Sequence, residues 1–347
     1  MGSLRTAVLG ASGYTGAELL RLAAAHPHLE VVAAGAAGSA GRAVGTVYPH
    51  LAPFAGMTFE SLTAAEVAGR AEAALLALPH QESAEVAPAL VEAGLRVVDL
   101  SGAFRLPAAA YPEWYGFAHP APAWLEKAVY GLSELAADQL PGAALVANPG
   151  CYATAALLPL VPLVKAGLVE GSGVVIDAKS GISGAGKVPT ESTHFGTADG
   201  SIRPYGAGTH RHTPEIEGTL GVLGGVPASI TFVPHLVPTV RGIVATCYAP
   251  AAGGATATAL LAVLTEAYAA SPFVRVLPEG SLPDSKRLQG SNAVELAATI
   301  DARTGTAILV AALDNLVKGA AGQAIQNLNL MHGFPETAGL EALAVYP

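Results

Sequence analysis

The chain has 347 residues, of which 51% are hydrophobic and 13% charged, with a net charge of −9. That length favours two domains over one core, and the apolar content excludes a disordered chain. No basic cluster points to nucleic acid, and two cysteines are too few for a disulfide framework, so a reducing, cytoplasmic setting is expected. In chain order, Leu4–Leu9 reads as a strand and Gly16–Ala25 as a helix. Between them stands Gly10-Ala11-Ser12-Gly13-Tyr14-Thr15-Gly16. Strand, tight glycine turn and helix N-terminus bring backbone N–H groups close to a pyrophosphate. The spacing is G-x-x-G-x-x-G, so its context carries more weight than the pattern alone, and a ligand-free glycine turn is the competing reading.

Further strands are expected at Glu30–Gly35, Ala73–Leu78, Arg96–Leu100 and Ala144–Ala147, with helices at Ser61–Arg70, Glu82–Ala93 and Ala153–Ala166. This alternation describes a doubly wound α/β sheet of Rossmann type over residues 1–150. NAD-specific folds place Asp or Glu near the end of the second strand. Here that region is Ala33–Arg42 without a carboxylate, while Ser39 and Arg42 suit a 2′-phosphate. NADP(H) is the expected cofactor. Arg105 lies past the carboxyl end of the fourth strand, the edge where open α/β sheets bind ligands. From Leu106 to Trp124, proline and aromatics crowd into an ordered loop.

Cys151 follows Asn148-Pro149-Gly150 and precedes an apolar helical run. A thiol at a helix start meets first-turn N–H groups whose positive field favours thiolate, the form a nucleophile needs. A buried structural cysteine is the plainer alternative, and it is the reading adopted for Cys247. Beyond Cys151, Val174–Ala178, Ala228–Val233, Gly242–Ala249, Ala293–Ile300 and Thr306–Leu313 read as strands of a mostly antiparallel sheet, with helices at Ala255–Ala269 and Gly319–Leu330. The uncharged stretches Gln139–Val164 and Gly218–Val240 carry several prolines, so neither reads as an uninterrupted membrane helix.

Thr209-His210-Arg211-His212-Thr213-Pro214-Glu215 is the densest polar cluster. Read as extended, it puts His210 and His212 on one side. One of them would reach Cys151 as acid/base while Glu215 orients its ring. A His-x-His pair also has metal-ligand spacing, but no third ligand cluster accompanies it, so no metal is expected. Arg241, which interrupts a long uncharged stretch, either pairs with a buried carboxylate or receives an anion.

Taken together, Gly10–Gly16, Leu78-Pro79-His80, Asp99–Arg105, Asn148–Thr154, Ser180–Lys187, Gly208–Glu215, Pro234–Gly242 and Asp314–Asn327 resemble the N-acetyl-gamma-glutamyl-phosphate reductases. These form the arginine-biosynthesis branch of the aspartate-semialdehyde dehydrogenase superfamily. The resemblance covers essentially the whole chain. It implies an NADP-binding domain at 1–150 completed by a C-terminal helix within 319–347, and an α+β catalytic and dimerisation domain at 151–318. It implies Cys151 as nucleophile, His212 as first choice for acid/base and His210 as second. It assigns Leu78, Pro79, Ser180, Gly181, Ser183, Gly184 and Asn315 to the cofactor, and Ser101, Arg105, Asn148 and Arg241 to an acyl-phosphate substrate. A homo-oligomer, dimer or tetramer, is implied as well. Such reductases usually carry an aspartate where this chain has Ala103. Two other readings stand beside it: a reductase for a carrier-linked aminoadipyl phosphate in lysine synthesis, and a non-catalytic NADP-binding sensor.

Overall fold

A computed structural model describes residues 2–346. The chain divides into two compact units, residues 2–150 with Ala320–Ala342, and Cys151–Gly319 with residues 343–346.

The first unit is built on β1 (Leu4–Leu9), β2 (Leu29–Gly35), β3 (Ala73–Leu76), β4 (Arg96–Asp99), β5 (Val129–Tyr130) and β6 (Leu145–Ala147), in spatial order β2-β1-β3-β4-β6-β5. Every neighbouring pair is parallel. The chain leaves β1 for β2 on one side and returns to β3 on the other, so β1 and β3 flank the topological switch point. Helices α1 (Tyr14–Ala24) and α2 (His80–Glu92) start just after the carboxyl ends of β1 and β3. Edge strand β5 is two residues long, too short for any periodicity, and was not expected from the sequence. The proline- and aromatic-rich loop packs on itself. Tyr111 is fully buried, stacked on Tyr115 with ring centroids 5.3 Å apart and edge-on to His119 at 4.8 Å.

The second unit holds β7 (Ser172–Gly181), β8 (Arg203–Pro204), β9 (Ser229–Val237), β10 (Ile243–Pro250), β11 (Val274–Val276), β12 (Val294–Asp301) and β13 (Thr306–Leu313). They lie in the order β11-β12-β13-β10-β7-β9-β8. Only β11/β12 and β7/β9 are parallel, so the sheet is mixed and mostly antiparallel. The main helices are α3 (Cys151–Lys165), α4 (His212–Gly224) and α5 (Ala257–Ala267).

Helix α3 starts at Cys151 instead of Ala153, and, as its expected span implied, it runs through Pro159 and Pro162. Proline removes the N–H that would bond the carbonyl four residues back. For Pro162 that carbonyl belongs to Leu158, and the Tyr268 hydroxyl donates to it at 2.5 Å. Every residue of α3 from Tyr152 to Val164 is buried, so packing outweighs the lost hydrogen bonds. Among the described residues, no helix is long and apolar enough to cross a membrane.

The C-terminal helix α6 is Gly322–His332, not Gly319–Leu330, because a wide π-helical turn over Val317–Ala321 precedes it. Within the first unit, α6 is fixed by polar contacts. Asn327 donates to the Gly131 carbonyl at 2.8 Å and to Asn148 Oδ1 at 3.0 Å. Asn329 Oδ1 lies 2.8 Å from the His26 ring, and Arg96 donates to the Met331 carbonyl.

Candidate active site

The glycine turn follows β1 at the switch point, and two of its three glycines, Gly10 and Gly16, leave no room for a side chain. Gly10 has φ of +79°, and a Cβ there would stand 2.1 Å from the Ala77 carbonyl oxygen at the end of β3. A Cβ on Gly16 would stand 2.3 Å from the Gly10 carbonyl oxygen. Both amides at Gly10 and Ala11 are held by the Gly35 carbonyl, and Tyr48 donates to the Ser12 carbonyl at 2.7 Å. Gly13 caps α1 with extended backbone and no side chain covering the first turn. The N–H groups of Tyr14, Thr15 and Gly16 therefore begin the helix without a side-chain acceptor, which suits a pyrophosphate. Ser39 and exposed Arg42 occupy the loop after β2, again with no carboxylate. Half-buried Leu78 and exposed Pro79, the residue before α2, follow β3. The unit thus fits a nicotinamide dinucleotide carrying a 2′-phosphate.

Beyond β4, the expected substrate residues are engaged within the first unit. Asp99 is fully buried and accepts from Ser83 at 2.5 Å and from Ser101 Oγ at 2.7 Å. Burial pushes its carboxyl pKa up, against those hydrogen bonds. Ser101 in turn accepts from the Ala103 N–H. Arg105 donates to the carbonyls of Asn148 and Leu100, both at 2.8 Å, so it braces the loop that precedes Cys151. Asn148 is fully buried and donates to the Ala320 and Pro149 carbonyls. Ser101 and Asn148 thus hold their side chains in hydrogen bonds within the first unit. Ala103 is buried, and its carbonyl accepts from Tyr111 at 2.5 Å.

In the second unit Cys151 is the first residue of α3, at its positive end. A Cβ on Gly319 would stand 2.8 Å from the Cys151 Cβ, so the turn after β13 runs against Cys151. Next to Cys151, the Tyr152 ring lies edge-on to both His210 and His212, at 5.8 and 5.9 Å. Tyr205, which the sequence reading did not single out, donates to the Tyr152 hydroxyl at 3.1 Å. Burial pushes both phenols up, Tyr205 to about 12, with Cys151 a further cause for each.

The histidine segment is not extended. His212 opens α4, with Pro214 and Glu215 in the first turn, where a missing N–H and an acid are both tolerated. The two histidines come together nonetheless, with ring centroids 4.8 Å apart. His210 Nδ1 accepts the His212 backbone N–H at 3.1 Å. Its pKa is pushed down to about 4, first by burial and then by Arg211. His212 Nε2 lies 4.0 Å from a carboxylate oxygen of Glu215, which is buried. Contacts of this kind tighten when substrate binds. Cys247 is fully buried, and its thiol is pushed up to about 12. Among the described residues, no group of three or more His, Cys, Asp or Glu is placed to hold a metal.

The remaining expected residues gather at the end of β7. Ser180 donates to the Gly181 carbonyl, and a Cβ on Gly181 would press within 2.8 Å of the Val240 and Arg241 backbone. Asn315 is buried. Its Oδ1 accepts the Gly242 N–H at 2.8 Å and its Nδ2 donates to Ser183 at 3.0 Å. Its amide thus ties the Gly181–Gly184 loop, at Ser183, to Gly242. Arg241 pairs with Asp314 at 3.4 Å.

Residues 5–143 match the family described as semialdehyde dehydrogenase, NAD binding domain, and residues 151–315 match semialdehyde dehydrogenase, dimerisation domain. Three curated relatives carry the name N-acetyl-gamma-glutamyl-phosphate reductase. Those from Symbiobacterium thermophilum, Geobacter metallireducens and Moorella thermoacetica are 47%, 46% and 45% identical, over 99% of this chain and 100% of each relative. The fold is similar to aspartate semialdehyde dehydrogenase II of Vibrio cholerae, solved with ASA. The TM-score is 0.73 at 18% identity, covering 95% of this chain and 98% of the other. It is also similar to the Candida albicans aspartate semialdehyde dehydrogenase solved with NADP, with a TM-score of 0.69 at 17% identity over the same shares.

Proposed function

Since this chain belongs to the N-acetyl-gamma-glutamyl-phosphate reductase family, we propose that it reduces N-acetyl-gamma-glutamyl phosphate to the semialdehyde with NADPH, through a thioester on Cys151. The observation that carries the reading is the thiol at the first residue of α3, with a histidine pair packed on the adjacent Tyr152 and a buried carboxylate beside His212.

Cys151 attacks the acyl carbon as thiolate, stabilised by the helix terminus, and phosphate leaves. The bound nicotinamide supplies the hydride that reduces the thioester, a better acceptor than a carboxylate. His212 protonates the oxygen that develops there and takes the proton back as the thiohemiacetal releases the aldehyde and restores the thiolate. Glu215 keeps the His212 ring oriented. His210 does not serve as the base: with a pKa near 4 it stays neutral and weakly basic, and its Nδ1 is occupied by the His212 N–H. It positions His212. Tyr14–Gly16, Ser39 and Arg42 hold the cofactor, and Gly181–Gly184 shape its nicotinamide side. Arg241 receives a substrate anion, and Arg105, Ser101 and Asn148 brace the substrate loop from within.

The substrate's acetyl group follows from the family and fits the charges present. Glu215 is buried beside His212, and Asp177 is paired with Lys179 at 2.6 Å and with His235 at 3.1 Å. A free α-ammonium would want a carboxylate partner, whereas a neutral amide needs only hydrogen bonds. The enzyme works as a cytoplasmic homo-oligomer, dimer or tetramer. A second copy covers the sheet face where Val175 and Tyr248 stand 41% and 37% exposed.

The test runs the reverse, phosphate-dependent oxidation with N-acetylglutamate semialdehyde and with aspartate semialdehyde. The expected result is a higher kcat/KM for the acetylated aldehyde. A higher value for aspartate semialdehyde would overturn the assignment.

A further inference from the structure

Asp314 directly follows the last strand and is fully buried, yet neither the glycine turn nor the Cys–His site uses it. Its Oδ1 accepts the N–H groups of Leu316 and Val317 at 2.8 and 3.3 Å. Its Oδ2 accepts the Gly290 N–H at 2.7 Å and faces Arg241 Nη1 at 3.4 Å. Three backbone donors from two loops leave this carboxylate a single orientation, and it holds the guanidinium of Arg241 by one edge. Asn315, the next residue, holds the same site from the backbone side through the Gly242 N–H. Gln289 donates to the Arg241 carbonyl at 3.3 Å, and the Val240 carbonyl accepts the Ser183 N–H. The backbone of Arg241 is therefore held on both sides, and its guanidinium is drawn to Asp314, before any ligand arrives.

That arrangement has a chemical consequence. Arginine has a long, rotamer-rich side chain, and ordering it on an anion costs entropy. A guanidinium has five N–H donors in a planar fork, so one edge on a carboxylate does not exhaust it. The partner carboxylate also moderates the positive potential, which favours exchange of a bound anion over its retention.

We propose that Asp314 is a positioning residue that acts through Arg241, pre-ordering the guanidinium and setting how tightly the site holds one anionic group of the substrate. The proposal rests on the reading of Arg241 as an anion-binding residue. The reverse reaction separates the two candidate anions, because inorganic phosphate and the aldehyde's carboxylate then enter on different molecules.

The experiment measures KM for phosphate and for N-acetylglutamate semialdehyde, with kcat, in the wild type, Arg241→Gln, Asp314→Asn and the double variant. Arg241→Gln is expected to raise one of the two KM values, which identifies the anion. Asp314→Asn is expected to raise the same KM by about tenfold, with kcat falling by less, as for a misplaced binding group. In the double variant the KM should equal that of Arg241→Gln alone. If Asp314→Asn fails to fold, Asp314→Glu, which keeps the charge and shifts it by a methylene, makes the same comparison. An Asp314 effect that persists undiminished without Arg241, or falls on the other KM, would overturn the proposal while leaving the Arg241 reading intact. An Arg241→Gln variant with both KM values unchanged would overturn both.

Discussion

The two units make their sites by different means. In the first, the cradle after β1 is backbone, and its shape is enforced by atoms that leave no room for a Cβ at Gly10 or Gly16. In the second, side chains form the site: a thiol at a helix start, two histidine rings on one tyrosine, and a buried carboxylate. A backbone site fails by steric exclusion and fails together with the local fold. A side-chain site fails by losing a particular atom while the fold survives.

Cys151→Ser gives the sharpest form of that contrast. The serine fits the same space but is a far weaker nucleophile at neutral pH, so kcat should fall about 10⁴-fold or more. NADPH affinity by fluorescence titration should stay near the wild-type value, and substantial turnover would remove Cys151 from the mechanism. Gly16→Ala is the complementary case. Its methyl would meet the Gly10 carbonyl at 2.3 Å, so cofactor affinity should fall steeply and stability by about 1–3 kcal/mol, together. A variant with wild-type Tm and impaired NADPH binding would show that sterics of the turn are not the cause.

His210→Asn probes the side-chain site more finely. Asparagine keeps an acceptor for the His212 N–H in an Asx-type turn, so kcat should fall about tenfold or less, against a far larger loss for His212→Asn. The pH dependence separates the roles further. His210 binds its proton near pH 4 when folded, against 6.5 for the ordinary side chain. Its contribution to stability is therefore complete above pH 6.5 and is lost as pH falls toward 4. Unfolding of His210→Asn should be less acid-sensitive than wild type across that window, and an unchanged acid profile would contradict the neutral-His210 reading. The smallest effect on activity is expected from Tyr268→Phe. It leaves the buried Leu158 carbonyl without its donor, costing about 1–3 kcal/mol of stability by denaturant melts with kcat unchanged.

Much of the first unit was legible because its signals are local. A strand, three glycines and a helix stand in sequence order, and the parallel sheet follows from strand–helix alternation. Boundaries moved where tertiary partners overrule local chemistry. Pro162 leaves the Leu158 carbonyl without its helical donor, and Tyr268, more than a hundred residues later, supplies the missing hydrogen bond. The helix at His212 could have been found from Pro214 and Glu215, which mark a first turn, but the alternating histidines favoured an extended reading. The sequence singles out Ser101, Asn148 and Asn315, but not the internal hydrogen bonds that engage their side chains. A motif shows which residue types recur, not which atoms their side chains satisfy. Tyr205 had no local signal, being reached through β9, and Asp314, which opens one of the resembling segments, gave no sign of its partner in the distant loop carrying Gly290.

The burial of Cys247 turns the second thiol into an internal clock. At neutral pH its side chain is fully enclosed and protonated, so a thiol reagent has one target in the native chain and gains a second only when β10 leaves the sheet. Label stoichiometry under native conditions therefore counts competent nucleophiles, and the slow second label counts unfolding events in the same sample.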